Sequence, residues 1–304
     1  MARVNLHIPQ LVGYIRQLPL SRDQLMLLMA AINEIFLGID TFVAHNESGA
    51  LVPREWIPIL FGFSAGLLLL LAGLLALRQR ALASILATVT LLASIGVGVL
   101  GAYFHLVRAT LPFAPLGERL TLDLLVWAPP VMGPLAFAMV GVLGISAAWI
   151  EEPAGSGTLV LPGNHRLHLP YSKTRAYFFI VGMGMVAALV SSVLDHARTG
   201  FLGSGVWFAT AVGIFGMVTA VVMGAIDQPT RLDVITYIVA MLLLIMAGPI
   251  GAWLHIQGNL IAGNTIVVER FLRGAPFLAP LLYTNMGLLG LIALLETHEE
   301  VTAS

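Results

Sequence analysis

The sequence contains no cysteine among its 304 residues. Disulfides, thiolate metal sites, iron–sulfur clusters and covalently attached c-type haem are therefore excluded, because each of them needs a cysteine sulfur. Any ligand to a metal or cofactor has to come from histidine, carboxylate or backbone groups instead.

Charge is also scarce in this chain. Charged residues make up 10% of it, hydrophobic residues make up 58%, and the mean hydropathy is +0.92. A soluble domain usually carries about 25% charged residues, so most of this surface is expected to face a lipid bilayer. The net charge of −1 supplies no basic surface and argues against a nucleic-acid partner.

The N-terminus does not follow the pattern of a secretory signal peptide. No continuous apolar core precedes a small-residue cleavage site in residues 1–23. Apolar and basic residues are mixed there, and Pro9 and Pro19 interrupt any helix. We expect residues 1–23 to form a segment lying at the membrane surface.

Long apolar stretches are the main feature of the rest of the chain. A helix needs about 20 apolar residues to cross a bilayer. Seven stretches meet this requirement without an internal charge, and an eighth, 24–45, carries only Asn33, Glu34, Asp40 and His45 as strongly polar residues. The seven are 57–77, 82–104, 124–150, 176–194, 201–226, 234–254 and 275–295. The sequence therefore predicts an all-α integral membrane protein with eight transmembrane helices.

The two halves of the chain repeat the same pattern. Aligning "GVLGAYFHLV" (98–107) with "GPIGAWLHIQ" (248–257) matches two glycines, an alanine and a histidine. The earlier helices match in the same way, and so do the prolines that follow: His45 with His196, Gly49 with Gly200, Trp56 with Trp207, Gly62 with Gly213, Pro130 with Pro276, and Pro134 with Pro280. We expect two repeated four-helix bundles, 24–150 and 176–296, joined by a loop at 151–175 and followed by a polar tail at 297–304. An even helix count makes such repeats parallel.

The distribution of basic residues predicts the orientation. With eight spans, nine of the 15 Lys and Arg residues lie on the side of the termini and six on the other side. The positive-inside rule then places both termini in the cytoplasm. We expect a location in a bacterial inner membrane.

Four histidines stand out because the repeat places them alike. His45, His105, His196 and His255 each end an odd-numbered helix, so all four are expected near the outer face at similar depth. Two imidazoles on facing helices are what a b-type haem needs, and glycines at 96, 98, 101, 248 and 251 would leave room for it. The same histidines could instead contact a quinone, or only cap helix C-termini as structural residues.

Glu34 and Asp40 are the second group of candidate residues. A carboxylate inside the bilayer is costly and usually marks a pathway or a site. Glu34, Thr41 and His45 share one helix face by their spacing. We expect Glu34 and Asp40 to act as catalytic residues that carry protons to a quinol or substrate site. The structural alternative is a polar residue that holds helices together.

The layout of two four-helix halves with four histidines resembles haem A synthases in outline. Eight helices also resemble the quinol-interacting membrane subunits of respiratory molybdoenzymes, and "HLVRATLP" (105–112) is similar to a segment expected there. None of the four histidines is followed by arginine, unlike the pattern of the first family. The four symmetric histidines, rather than these resemblances, lead us to expect a membrane redox subunit that handles haem b or quinone near the outer face and has membrane or periplasmic partner subunits. The alternatives are a small-solute transporter or channel, and a non-catalytic anchor or assembly subunit.

Overall fold

The computed structural model describes residues 20–47, 49, 51–261 and 265–295. Most of the predicted surface segment 1–23 and the predicted polar tail 297–304 lie outside the described residues. In chain order the elements are α1 Arg22–Glu47, α2 Trp56–Ala76, α3 Arg80–Arg108, α4 Leu122–Trp127, α5 Met132–Ala148, β1 Ile150–Glu151, β2 Thr158–Val160, β3 Arg166–His168, α6 Lys173–Ala197, α7 Ser204–Ala225, α8 Arg231–Asn259, α9 Val268–Arg273 and α10 Leu281–Ala293.

The long helices have the length and composition of membrane spans. Among the described residues, α1, α2, α3, α6, α7 and α8 are long and apolar enough to cross a bilayer, and α4 with α5 adds a seventh if that bent pair is one span. Large apolar side chains point outward from them; Leu67 is 63% exposed and Leu74 is 67% exposed. Such a surface fits lipid rather than water. The all-α class and the integral membrane character are confirmed.

The prediction of an unbroken helix over 124–150 is wrong. α4 ends at Trp127, α5 begins at Met132, and the two are bent by 82°. Pro129 and Pro130 lie in the gap. A proline has no N–H for the helical ladder and keeps the residue before it out of the α region, so a helix stops there.

The last predicted span, 275–295, is shortened for the same reason. Its helix α10 begins at Leu281 and has 13 residues, after a turn-rich segment that contains Pro276 and Pro280. Thirteen residues are too few to cross the hydrocarbon core of a bilayer. The described residues therefore give six to seven candidate spans rather than eight.

The helices pack in two sets. In the first set α1 and α3 each contact both α2 and α5, and in the second set α6 and α8 each contact both α7 and α10. Each set closes as a ring, which places α1 across from α3 and α6 across from α8. The sets meet where α5 contacts α6 and where α1 contacts α10.

The segment predicted as a connecting loop contains a small sheet. β1 pairs with β2 and β2 pairs with β3, both antiparallel, with Ile150 opposite Val160 and Thr158 opposite His168. Helix α6 then begins at Lys173, where the Ser172 side chain accepts a hydrogen bond from the Arg175 backbone N–H, as an N-cap residue does.

Glycines allow very close contact between α1 and α2. A Cβ atom added at Gly62 would lie 2.6 Å from the Glu34 carbonyl oxygen and 2.8 Å from the Gly38 Cα. Only glycine fits at that distance, because real Cβ atoms do not approach backbone atoms so closely. This contact fixes the position of Glu34 against α2.

Candidate functional site

The structure brings the four histidines together as two pairs at one end of the helices. The ring centroids of His45 and His105 lie 6.0 Å apart with their planes at 55°. The ring centroids of His196 and His255 also lie 6.0 Å apart, with their planes at 78°. In each pair the two residues lie at the C-terminal ends of helices that face each other across a ring of four.

Backbone carbonyls hold three of these imidazole rings. The Nδ1 atom of His45 lies 2.9 Å from the Thr41 oxygen, and that of His105 lies 2.9 Å from the Pro130 oxygen. The Nδ1 atom of His255 lies 2.9 Å from the Pro276 oxygen. A carbonyl oxygen only accepts hydrogen bonds, so each Nδ1 carries the proton. In the neutral ring the lone pair is then on Nε2, which is the arrangement typical of metal-ligating histidines.

The proline spacing explains why the carbonyls of Pro130 and Pro276 can accept hydrogen bonds from histidine. In an α-helix, the oxygen of Pro130 would accept from the N–H four residues later, and that residue is Pro134. Pro276 and Pro280 have the same spacing. Because proline has no N–H, neither carbonyl accepts a hydrogen bond from the residue four positions later. The Pro276 oxygen accepts from the Ala279 N–H at 3.2 Å, and its second lone pair accepts from His255. The repeated Pro-x-x-x-Pro spacing was the sequence pattern that could have identified these partners.

The space beside the glycines near the histidines is occupied by neighbouring helices. A Cβ atom at Gly101 would lie 2.8 Å from the Pro134 Cβ, and one at Gly251 would lie 2.8 Å from the Pro280 Cβ. Gly98 and Gly248 face the same proline segments in the same way. These four glycines admit the starts of α5 and α10, so the room that we expected them to give a haem macrocycle is already occupied. At Gly96, the fifth predicted glycine, an added Cβ atom would have no neighbour within 4 Å.

The paired imidazoles are the main metal-ligand candidates of the site. In the part of the chain that the structure describes, no group of three or more His, Asp or Glu side chains is placed to hold a metal ion. A metal at either pair would therefore have two protein ligands. Asp195, next to His196 in the chain, lies 3.8 Å from Arg198 in an ion pair.

Glu34 lies in the core of the first helix ring. Its side chain is fully buried, and its Oε1 atom shares a short hydrogen bond with the Ser94 hydroxyl of α3. The Ser94 oxygen also lies 2.8 Å from the Phe137 carbonyl oxygen of α5. Sequence reasoning placed Glu34 in the interior but did not find Ser94 or Phe137.

Asp40 is not part of this group. It is half-buried and lies on α1 six residues after Glu34 and five residues before His45. The eleven residues from Glu34 to His45 correspond to a rise of about 16 Å along the helix. Glu34 and His45 are therefore too far apart for direct contact, and the proton route through Asp40 stays a prediction.

A buried charge cluster at the opposite end of the helices was missed by sequence reasoning. The Lys173 ammonium donates to the Asp23 carboxylate at 2.5 Å and to the Trp149 carbonyl at 2.5 Å. The Tyr177 hydroxyl donates to the same carboxylate at 2.9 Å. Lys173 is 1% exposed and Tyr177 is fully buried, so Asp23 neutralises a charge that has left water.

Arg22 belongs to the same cluster and forms a second link between the two helix sets, in which the cation comes from the first set. Its Nη1 donates to the Thr174 hydroxyl at 2.6 Å, and its guanidinium carbon lies 5.2 Å from the centre of the Tyr177 ring. In the register that aligns His45 with His196, Arg22 corresponds to Lys173 and Asp23 corresponds to Thr174. The start of α1 and the start of α6 therefore contact each other through two equivalent pairs: Asp23 with Lys173, and Thr174 with Arg22.

Arg198 connects the second set of helices to the broken segment of the first. Its Nε donates to the Val126 carbonyl at 2.6 Å, and its Nη2 donates to the Ala128 carbonyl at 2.9 Å. These carbonyls lie at the end of α4, where helical partners are missing. Arg198 thus fixes the segment that leads to Pro130.

The comparisons with known proteins give no family. No protein-family model matches this chain, and no curated protein and no solved structure matches it. The outline resemblance to haem A synthases and to quinol-interacting subunits gains no support from them.

Proposed function

We propose that this chain is a membrane redox subunit that binds one transition-metal centre at each histidine pair. The observation that carries the proposal is the repeated geometry: two imidazoles 6.0 Å apart in each pair, with Nδ1 bound to a backbone carbonyl in three of the four rings. In His105 and His255 a ring held in this way carries its lone pair on Nε2, the atom that ligates a metal.

The separation of the rings suits a shared metal. With metal–nitrogen distances of about 2.0–2.1 Å, two imidazoles on opposite sides of one ion have ring centres about 6 Å apart. Imidazole nitrogen is a good ligand for copper, zinc and iron. Among the divalent first-row metals copper has the highest affinity for such ligands, and copper is the ion proposed here.

Haem b is the second candidate, because bis-histidine ligation also needs two protein ligands. Binding a macrocycle would require the segments that start at Pro134 and Pro280 to move away from Gly101 and Gly251. A quinone is a weaker candidate. Its oxygen would need a ring N–H donor, and the Nδ1 protons of His45, His105 and His255 are already donated to carbonyls.

The proposal includes a duplicated eight-helix architecture. The contact of Gly141 with the Leu91 carbonyl is repeated by Gly287 with the Met241 carbonyl, at 2.7 and 2.6 Å from an added Cβ. The exchange of partners between Arg22–Asp23 and Lys173–Thr174 is the pattern of a two-fold axis, in which residue i contacts j and j contacts i. These repeats support descent from a paired four-helix unit.

The proposal keeps the orientation predicted from the basic residues. Both termini would be cytoplasmic, and the histidine pairs would lie at the extracytoplasmic face of a bacterial inner membrane. Metal sites at that end suit exchange of electrons with membrane or periplasmic partner subunits.

The test is metal analysis of the purified protein after reconstitution with copper. We expect about two copper ions per chain in the wild type, about one in His105→Ala or His255→Ala, and none in the double variant, because each substitution removes one ligand of one pair. His168→Ala is the matched control, since His168 is exposed on β3 and belongs to neither pair; it should keep both ions.

An optical spectrum distinguishes haem from copper at the histidine pairs. A Soret band that is lost in the His105→Ala/His255→Ala variant would assign haem in place of copper. Equal copper content in the wild type and the double variant would contradict metal binding by the pairs, and so would a wild-type protein that takes up neither copper nor haem.

A further inference from the structure

We propose that Glu34, Ser94 and the Phe137 carbonyl form a site that holds an exchangeable proton inside the membrane, in the first half of the chain only. This inference does not depend on the metal sites, because Glu34 lies eleven residues from His45 and contacts neither ring.

The hydrogen bonds around Ser94 assign the proton. The Ser94 hydroxyl has one hydrogen, yet its oxygen lies within hydrogen-bond distance of both Glu34 Oε1 and the Phe137 oxygen. The Phe137 carbonyl can only accept. If Ser94 donates to Phe137, the second hydrogen has to come from Glu34, so the carboxyl group is protonated. The opposite arrangement would leave two oxygen lone pairs facing each other at 2.8 Å.

The surroundings of Glu34 also favour the neutral acid. Its Oε2 atom is buried and is without a hydrogen-bond partner in the described residues. A carboxylate would leave negative charge on that atom at a high cost in free energy, whereas the carbonyl oxygen of a neutral acid leaves only an unpaired acceptor.

The helices packed around Glu34 provide no opposite charge at its level. Helices α2, α5, α9 and α10 contact α1, and Ser94 brings α3 to Glu34. The basic residues of α1 and α3 lie near the helix ends, α2, α5 and α10 contain none, and Arg270 and Arg273 of α9 are exposed. The basic residue of α1 closest to Glu34 is His45, and the basic residue of α3 closest to Ser94 is His105. Each is eleven residues away, or about 16 Å along the helix axis. The other acids of α1, which are Asp23, Asp40 and Glu47, would only add negative charge. A proton is therefore the ion that balances Glu34.

The second half has lost this site. In the register of the repeat, Met185 corresponds to Glu34 and Leu244 corresponds to Ser94, and both are fully buried apolar residues. The histidine pairs are thus alike in the two halves, while the polar group in the core is present in one. Any proton chemistry in the membrane interior is assigned to the first half.

The test is infrared spectroscopy of the purified protein at neutral pH. We expect a protonated-carboxyl C=O band in the wild type that disappears in Glu34→Gln. Asp40→Asn is the matched control and should keep the band. Ser94→Ala should keep it too but shift it to higher frequency, because the carboxyl group loses its hydrogen-bond partner.

The outcomes decide the proposal clearly. If Glu34→Gln removes a carboxylate band and no protonated-carboxyl band, Glu34 is ionised and the proposal is wrong. A shift of the band to lower frequency in D2O would show that the proton exchanges, whereas a band that stays unshifted in D2O would contradict the exchange. Copper content, measured on the same samples, should stay at the wild-type value in Glu34→Gln, so the metal proposal and this one can fail separately.

Discussion

Replacing Asp23 with Ala should destabilise the folded protein by about 3–5 kcal/mol, the usual cost of leaving one member of a buried ion pair without its partner. Lys173 is 1% exposed and its ammonium lies 2.5 Å from the Asp23 carboxylate. Without Asp23 the ammonium keeps only the Trp149 carbonyl as an oxygen partner among the described contacts. Unfolding by denaturing detergent, followed by circular dichroism, measures the change.

A swap of residues tests the proposed two-fold relation at the same time. Asp23→Thr alone should lose as much stability as Asp23→Ala. Adding Thr174→Asp to it should restore at least half of the loss, because the new carboxylate lies where Arg22 now bonds Thr174. A double variant no more stable than the Asp23→Thr single variant would contradict the equivalence of the two positions.

Gly62→Ala should cost about 1–3 kcal/mol of folding free energy through overpacking. The added Cβ would meet the Glu34 carbonyl oxygen at 2.6 Å and the Gly38 Cα at 2.8 Å. Both are backbone atoms, so neither can rotate out of the way and α1 and α2 have to separate. The thermal midpoint of unfolding in detergent should fall accordingly.

Gly73→Ala is the control in the same helix. A Cβ at Gly73 would have no neighbour within 4 Å. The substitution should stabilise α2 slightly, because alanine favours a helix more than glycine by about 0.8–1.0 kcal/mol. Equal effects of the two substitutions would show that close packing at Gly62 does not determine stability.

The histidines were the part of the site that the sequence predicted best. A repeat that places His45, His105, His196 and His255 at the same kind of helix end also places them at the same depth, and the structure pairs them. The sequence could not show which carbonyl holds each ring, because that depends on where α5 and α10 begin. Counting apolar residues treated 124–150 and 275–295 as continuous helices, although their prolines lack the N–H groups that a continuous helix needs.

The buried polar contacts were less predictable for a geometric reason. Glu34 was expected inside the protein, but its partner Ser94 lies 60 residues away, and only the rotation of α3 about its axis decides that the two meet. Arg22 and Lys173 were counted as residues at membrane boundaries, where basic side chains usually extend to water. Their burial depends on the two helix starts facing each other, which no pattern within either helix reveals.

The hydrogen bonds from Arg198 to the end of α4 connect the two histidine pairs. Arg198 follows His196 by two residues, and the backbone that it holds at Ala128 lies two residues before Pro130, whose carbonyl orients His105. A short path of backbone and hydrogen bonds thus joins His196 of one pair to His105 of the other. The two histidine pairs are therefore connected through backbone and hydrogen bonds at the C-terminal ends of the helices.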